Sequence, residues 1–312
     1  MGRYRLGDII RMTRKSLSIT QDQLSEGICS VETLSRVESG KQNPSKDVYE
    51  LLMERMGRIR ERAYSMQSVS DFKVLELIRR YEQCIQDYNF HKADYILEDI
   101  VKKLGNTPLD RQFAIRAKSI VSYRLGRIST DDFLDELEKA IRITIPKYGY
   151  ISLANWPLTY TETVLLLNIS TAYSEQGKYY NGIRILEDMY SALKQSYMAE
   201  EQRVIMQVAL LGNVSKWYGL IEEHEKAIDM AREGIDICRK FKIGNALPNL
   251  LYNYVWNKEQ LIEKGVLLPE NKRECISYLI KAYYIASAMQ QPYVVDFINK
   301  HMTMYYDINL KF

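Results

Sequence analysis

Apolar positions recur at helical spacing along nearly the whole chain. Near the start, Leu6, Ile9, Ile10 and Leu17 share one face and predict a first helix. Thr20-Gln21-Asp22-Gln23 is a capping box, in which the Thr20 hydroxyl caps and the Gln23 side chain reaches back. It opens a short second helix, about 21–27, that buries Leu24 and stops at Gly27. Ser30 can cap a third helix, about 31–38, which buries Leu34 and Val37 and ends at Gly40. Asn43-Pro44-Ser45 makes a turn and a new cap, and Val48, Leu51 and Leu52 line a fourth helix. The basic stretch from Arg55 to Arg62 reads as a fifth helix or a linker.

Two short helices joined by a tight turn, the second capped and followed by a glycine, follow the helix-turn-helix plan. In that plan the third helix enters the DNA major groove. Its cap and exposed positions are Ser30, Val31, Glu32, Thr33, Ser35 and Arg36. Arg36 can bind a guanine edge with two hydrogen bonds, Glu32 can accept from cytosine N4, and Val31 can touch a thymine methyl. The competing reading is that Glu32 and Arg36, at i and i+4, pair with each other on the helix surface. Gln21 opens the second helix, whose N-terminus points at phosphate, and Lys41 and Asn43 suit phosphate contacts.

From about residue 72 the apolar stripes become longer, and an internal repeat emerges. Asn168-Ile-Ser-Thr-Ala-Tyr173 matches Asn213-Val-Ser-Lys-Trp-Tyr218, a period of 45 residues. A small residue, Gly182 or Ala227, follows each asparagine by 14 positions. Each copy therefore predicts a helix, a turn and a second helix with a small residue at the packing point, as in tetratricopeptide repeats. Weaker copies begin near Glu76 (with Ala93), Gln112 and Leu247 (with Asn253), and Val266 to Arg273 reads as an insertion. Repeats of this kind stack into a right-handed solenoid with a concave face suited to extended ligands.

Asn168, Asn213 and Asn253 fall at matching places on the first helix of their pairs. An amide offers both a donor and an acceptor, so it can bind a peptide main chain without reading side chains. It can equally serve a cap or an interhelix bond. The same phase in earlier copies holds Arg79 and Lys118, either of which could meet a carboxylate or stay a solvated charge. Tyr173, Trp217 and Tyr218 stand near the asparagines and could wall an apolar groove, although most of the 24 tyrosines should be repeat packing.

Charge sharpens the division. The first 65 residues carry 12 basic and 9 acidic side chains, and the remainder carries 31 of each. All of the net charge of +3 thus lies in the head, which fits a small DNA footprint. No apolar run is long enough to cross a membrane, and the charged N-terminus is no signal peptide, so a cytoplasmic protein is expected. Cys29, Cys84, Cys238 and Cys275 form no C-x-x-C pair and read as reduced core thiols. His91, His224 and His301 are scattered, and nucleophile and nucleotide-loop motifs are missing. No metal, cofactor or enzymatic activity is expected.

The string Thr20-Gln-Asp-Gln-Leu-Ser-Glu-Gly-Ile-Cys-Ser-Val-Glu-Thr-Leu-Ser-Arg-Val-Glu-Ser-Gly-Lys-Gln-Asn-Pro-Ser45 resembles the XRE-type helix-turn-helix, in the form carried by PlcR-like and Rgg-like regulators. With the repeats behind it, the chain resembles the RRNPP group of peptide-pheromone receptors over nearly its whole length. The resemblance implies that Gln21 touches the DNA backbone or a base edge. It implies a structural ion pair between Arg14 and Glu38, and asparagine contacts to the main chain of a bound peptide.

The expected architecture is therefore all-α: a helix-turn-helix domain over 1–65 and a tetratricopeptide-like peptide-sensing and dimerisation domain over 66–312. The expected protein is a homodimeric transcriptional regulator that binds a palindromic operator in double-stranded DNA and is switched by a short signalling peptide. The alternative is a regulator whose repeats dock a partner protein. A ligand-free repressor would need far fewer residues.

Overall fold

The computed structural model describes residues 6–57, 69–105, 108–194, 198 and 200–310. The fold is all-α, with no strand among the described residues. The chain forms two compact units, residues 1–200 and 201–312. No described helix is long and apolar enough to cross a membrane, and no described cluster of side chains could hold a metal.

The first unit opens with α1 (Leu6–Ser16), α2 (Gln21–Ser25), α3 (Val31–Glu38) and α4 (Lys46–Arg55). The caps are those expected. Thr20 and Gln23 form the reciprocal box, Ser30 accepts from the Thr33 amide, and Ser45 accepts from the Val48 amide. α2 is shorter than its pattern suggested, because residues after Ser25 turn to bring Gly27 to φ +72°. Ile10, Ile19, Leu24, Leu34, Val37, Leu52, Met53 and Met56 close one core. Leu6, expected on the buried face of α1, is 43% exposed at its first position. The basic stretch beyond Gly57 lies outside the described residues, as does the expected boundary at 65.

Three helix pairs follow in the same unit: α5 (Val69–Gln86) with α6 (Phe90–Lys103), α7 (Pro108–Arg124) with α8 (Thr130–Arg142), and α9 (Tyr160–Glu175) with α10 (Tyr179–Lys194). Each helix packs on the next, and the small residues stand where helices meet: Ala93 is fully buried and Gly182 is buried. Tyr81, Ile96, Ile100, Phe113 and Ala117 share the core of the first pair and its neighbour.

The end of the helix-turn-helix is seated on this part of the unit. Arg55, the last residue of α4, donates through Nη2 to the Glu162 carboxylate and to the Thr144 carbonyl, each at 2.9 Å, and through Nη1 to the Glu26 carbonyl. The Trp156 ring lies 5.7 Å from the guanidinium carbon. Lys147 pairs with Glu26 at 2.9 Å. Gly27 packs on Thr144 so closely that a Cβ there would stand 2.4 Å from the carbonyl oxygen. The segment between α8 and α9 thus holds the turn between α2 and α3.

The second unit comprises α11 (Glu200–Leu220), α12 (His224–Phe241), α13 (Leu247–Glu263), α14 (Lys272–Ala288) and α15 (Pro292–Tyr306). The expected insertion is a turn at Lys264–Gly265 and a single 3₁₀ turn, Pro269–Asn271. Ala227 is fully buried, and Gly234 admits Leu250 against the helix backbone. Two histidines are part of the packing. His224 bonds Asn257 at 2.9 Å, and His301 is held between Glu259 and Tyr252 at 2.9 and 3.1 Å. All four cysteines are free, and three are buried.

Candidate nucleic-acid interface

A recognition helix must be rigidly mounted before its side chains can read bases. Here the mount is an ion pair. Arg14 of α1 donates to both Glu38 oxygens, at 2.6 and 2.7 Å, and to the Ile19 carbonyl at 2.8 Å. Gln21 donates to Glu38 at 2.8 Å. Burial alone would raise the pKa of the Glu38 carboxyl. Bonds from Arg14 and Gln21, with the charges of Arg14 and Arg11, outweigh burial and hold it below its ordinary value. One carboxylate therefore ties α1, the start of α2 and the end of α3 together.

With that face enclosed, the opposite face of α3 is outward. Val31, Glu32, Ser35 and Arg36 are exposed, and Thr33 is half-buried. The Glu32 carboxyl is held below its ordinary value by its own backbone amide and the Ser30 hydroxyl, with a smaller pull from the Arg36 charge one turn on. Ser30 is engaged with the Thr33 amide and hydroxyl, at 3.1 and 3.0 Å. Lys41 and Asn43 are exposed just beyond α3. The Gln21 side-chain nitrogen is already committed to Glu38, which leaves its oxygen to a further partner.

The structure also brings two cations into play that the spacing argument did not single out. Arg11 and Lys15, exposed on α1, line an open cleft of about 670 Å³ together with Gln21, Ser35 and Ser39. Their i, i+4 spacing on a helix was the available signal. Their two positive charges and the Ser35 hydroxyl suit a phosphate.

The residues singled out in the repeats have diverse surroundings. Asn168 is half-buried on α9, and its Oδ1 is enclosed without a hydrogen-bond partner among the described residues. Asn213 is half-buried on α11. Asn253 on α13 spends its amide nitrogen on the Gly212 carbonyl and the Ser215 hydroxyl, at 2.9 and 2.8 Å. Trp217, 3% exposed, and Tyr218 are buried and so do not wall an open groove. The Tyr173 hydroxyl donates to Glu138 at 3.0 Å. Tyr173 stands five residues from Asn168, about 140° around α9, so the two look to different sides. Arg79 and Lys118 are exposed on α5 and α7.

The Helix-turn-helix family profile matches residues 10–61. No curated protein matches the chain significantly. The fold is found in Bacillus thuringiensis PlcR, solved in complex with the peptide PapR7 and DNA. That likeness has 19% identity and a TM-score of 0.61, and covers 95% of this chain and 99% of PlcR. The competence regulator ComR from Streptococcus vestibularis, in its apo form, matches at 13% identity and a TM-score of 0.54, covering 96% of this chain and 97% of ComR. ComR from S. thermophilus, solved with DNA and its signalling peptide ComS, matches at 13% identity and a TM-score of 0.53, covering 96% and 99%. The protein carries a helix-turn-helix DNA-binding domain on helical repeats and has the fold of PlcR and ComR.

Proposed function

We propose that this protein is a cytoplasmic, homodimeric transcriptional regulator without catalytic activity. Its α3 reads a half-site of a palindromic operator, and its repeats bind a short signalling peptide. The observation that carries the DNA half is the outward face of α3, Val31 to Arg36, held by the Arg14–Glu38 pair. The peptide half is supported by Asn168, whose enclosed carbonyl oxygen lacks a donor among the described residues, and by Asn213 at the same place in the next copy. A peptide N–H is the donor that such an oxygen calls for. Arg79 and Lys118, exposed on the first helices of earlier pairs, offer charges to a peptide carboxylate or acidic side chain. Binding then changes operator affinity by favouring one arrangement of the repeats over another.

A two-fold dimer matches a palindrome because each head reads one half-site. The exposed apolar side chains of α15, among them Tyr293, Phe297 and Met304, suit a protein contact. The same face favours a second reading, in which a partner protein docks on the repeats. The test is calorimetry against a library of random synthetic peptides about five to eight residues long, a span of a few repeats' worth of side chains. Saturable binding that Asn168→Ala and Asn213→Ala weaken supports the peptide reading. Binding that neither variant changes sinks these two asparagines as the site.

A further inference from the structure

The first unit contains a second cleft, of about 400 Å³, between α8, α10 and the segment Tyr148–Leu153. Its two carboxylates are committed. Glu138 accepts from Arg142 at 2.7 Å and from the Tyr173 hydroxyl at 3.0 Å. Asp188 accepts from the Ser152 hydroxyl at 3.1 Å and the Leu153 amide at 2.9 Å, which ties the segment to α10. The cations are not balanced in the same way. Arg184, exposed on α10, pairs with no described carboxylate.

Tyr148 is 7% exposed; it lines the cleft, and its hydroxyl bonds no described residue. Burial, then the neighbouring Glu138 and Tyr173, push its pKa upward against the pull of Arg142 and Arg184. The hydroxyl is therefore a neutral O–H donor across the physiological range. The Arg184 guanidinium, the Tyr148 hydroxyl and the Asn181 amide line one space, with the Tyr148 ring and Ile185 on its wall and the exposed Tyr150 at its rim.

We infer that this cleft binds a small organic oxyanion, a carboxylate or phosphate ester attached to a short apolar or planar group. Arg184 and Tyr148 take the oxyanion, and the tyrosine rings take the apolar part. The volume falls at the small end of the roughly 300–1,000 Å³ seen for ligand pockets, which suits a metabolite-sized molecule. The site is independent of the proposed peptide surface, since Tyr173 and Asn168 face different sides of α9. Its position gives it a consequence for DNA binding. Tyr148–Leu153 continues directly from Thr144 and Lys147, which hold the turn between α2 and α3. A ligand that stiffens the segment therefore acts on the seat of the head.

The probes are phenyl phosphate, benzoate and inorganic phosphate, titrated calorimetrically into the full chain and into Arg184→Gln, Tyr148→Phe and Arg11→Gln. Arg184 is exposed, so its replacement leaves the fold intact. The expected result is saturable binding of phenyl phosphate or benzoate below about 10 mM, at least about tenfold tighter than inorganic phosphate. It should weaken about tenfold in Arg184→Gln, less in Tyr148→Phe, and not in Arg11→Gln. Hydrogen exchange should slow at the amides of residues 148–153. No saturable heat, equal binding of all three probes, or loss in Arg11→Gln but not in Arg184→Gln overturns the site. Binding that needs Arg184 but leaves exchange at 148–153 unchanged overturns its seating in this cleft.

Discussion

Arg55 and Glu162 stand 107 positions apart in sequence and meet at 2.9 Å, with side chains only 2% and 1% exposed. One ends α4 and the other lies in the first turn of α9. Glu162 also accepts from the Thr159 amide, so the carboxylate serves both a helix cap and the head. An enclosed pair of this kind is costly to break from one side, because the remaining charge is stranded. Arg55→Ala should therefore lower unfolding free energy by roughly 3–5 kcal/mol. Arg55→Met combined with Glu162→Met should recover most of that loss. Denaturant melts of both variants check it; an Arg55→Ala protein as stable as the parent would show that the pair is not what seats the head.

Glu38 gives the head a signature in acid. Its pKa is depressed in the folded protein, so its contribution to stability is fully present at neutral pH. That contribution fades as the pH falls below the ordinary value of 4.5 and is gone once the folded carboxyl is protonated. Glu38→Gln lacks this dependence. The melting temperatures of parent and variant should be well separated at pH 7 and converge as the pH is lowered through the acid range. A constant gap would mean that the Arg14–Glu38 charge pair contributes nothing to the difference.

DNA contacts divide by chemistry. Arg36→Ala should reduce discrimination between a duplex selected from random sequence and an unselected one by about 1–3 kcal/mol. Lys41→Ala and Arg11→Ala should weaken both duplexes alike and reduce the salt slope by roughly one unit for each phosphate no longer neutralised. Fluorescence anisotropy across a salt series separates the two behaviours. An Arg36→Ala protein whose affinity falls equally for both duplexes has been deprived of a phosphate partner, and α3 then reads bases through other side chains.

Two asparagines in matching sequence phase should behave differently in the free protein. Asn253 bonds the Gly212 carbonyl and the Ser215 hydroxyl, so Asn253→Ala strands polar groups between helices and should cost about 1–3 kcal/mol of stability. Asn213→Ala removes no such bond and should leave the melt nearly unchanged. Equal losses in the two variants would place Asn213 in the packing as well and remove it from the proposed ligand row.

The local devices of this protein were legible in its sequence. The capping box at Thr20, the caps at Ser30 and Ser45, the extent of α3 and the placing of Asn168, Asn213 and Asn253 in the first helices of their pairs all rest on short-range rules. Such features depend on a few neighbouring residues, so a linear pattern carries them. Which side of a helix is enclosed depends instead on what lies across from it. Trp217 and Tyr218 looked like groove walls and are buried, because side chains distant in sequence cover them. Asn253 shares its phase with Asn213 but meets the Gly212 carbonyl. Arg55 read as one charge in a basic stretch, and only the fold sets Glu162, Thr144 and Trp156 around it. Tyr148 and Arg184 carried no motif, since a cleft formed by α8, α10 and an intervening segment has no signature along the chain. Periodicity determines elements and caps; long-range packing determines which polar groups are already satisfied and which remain for a ligand.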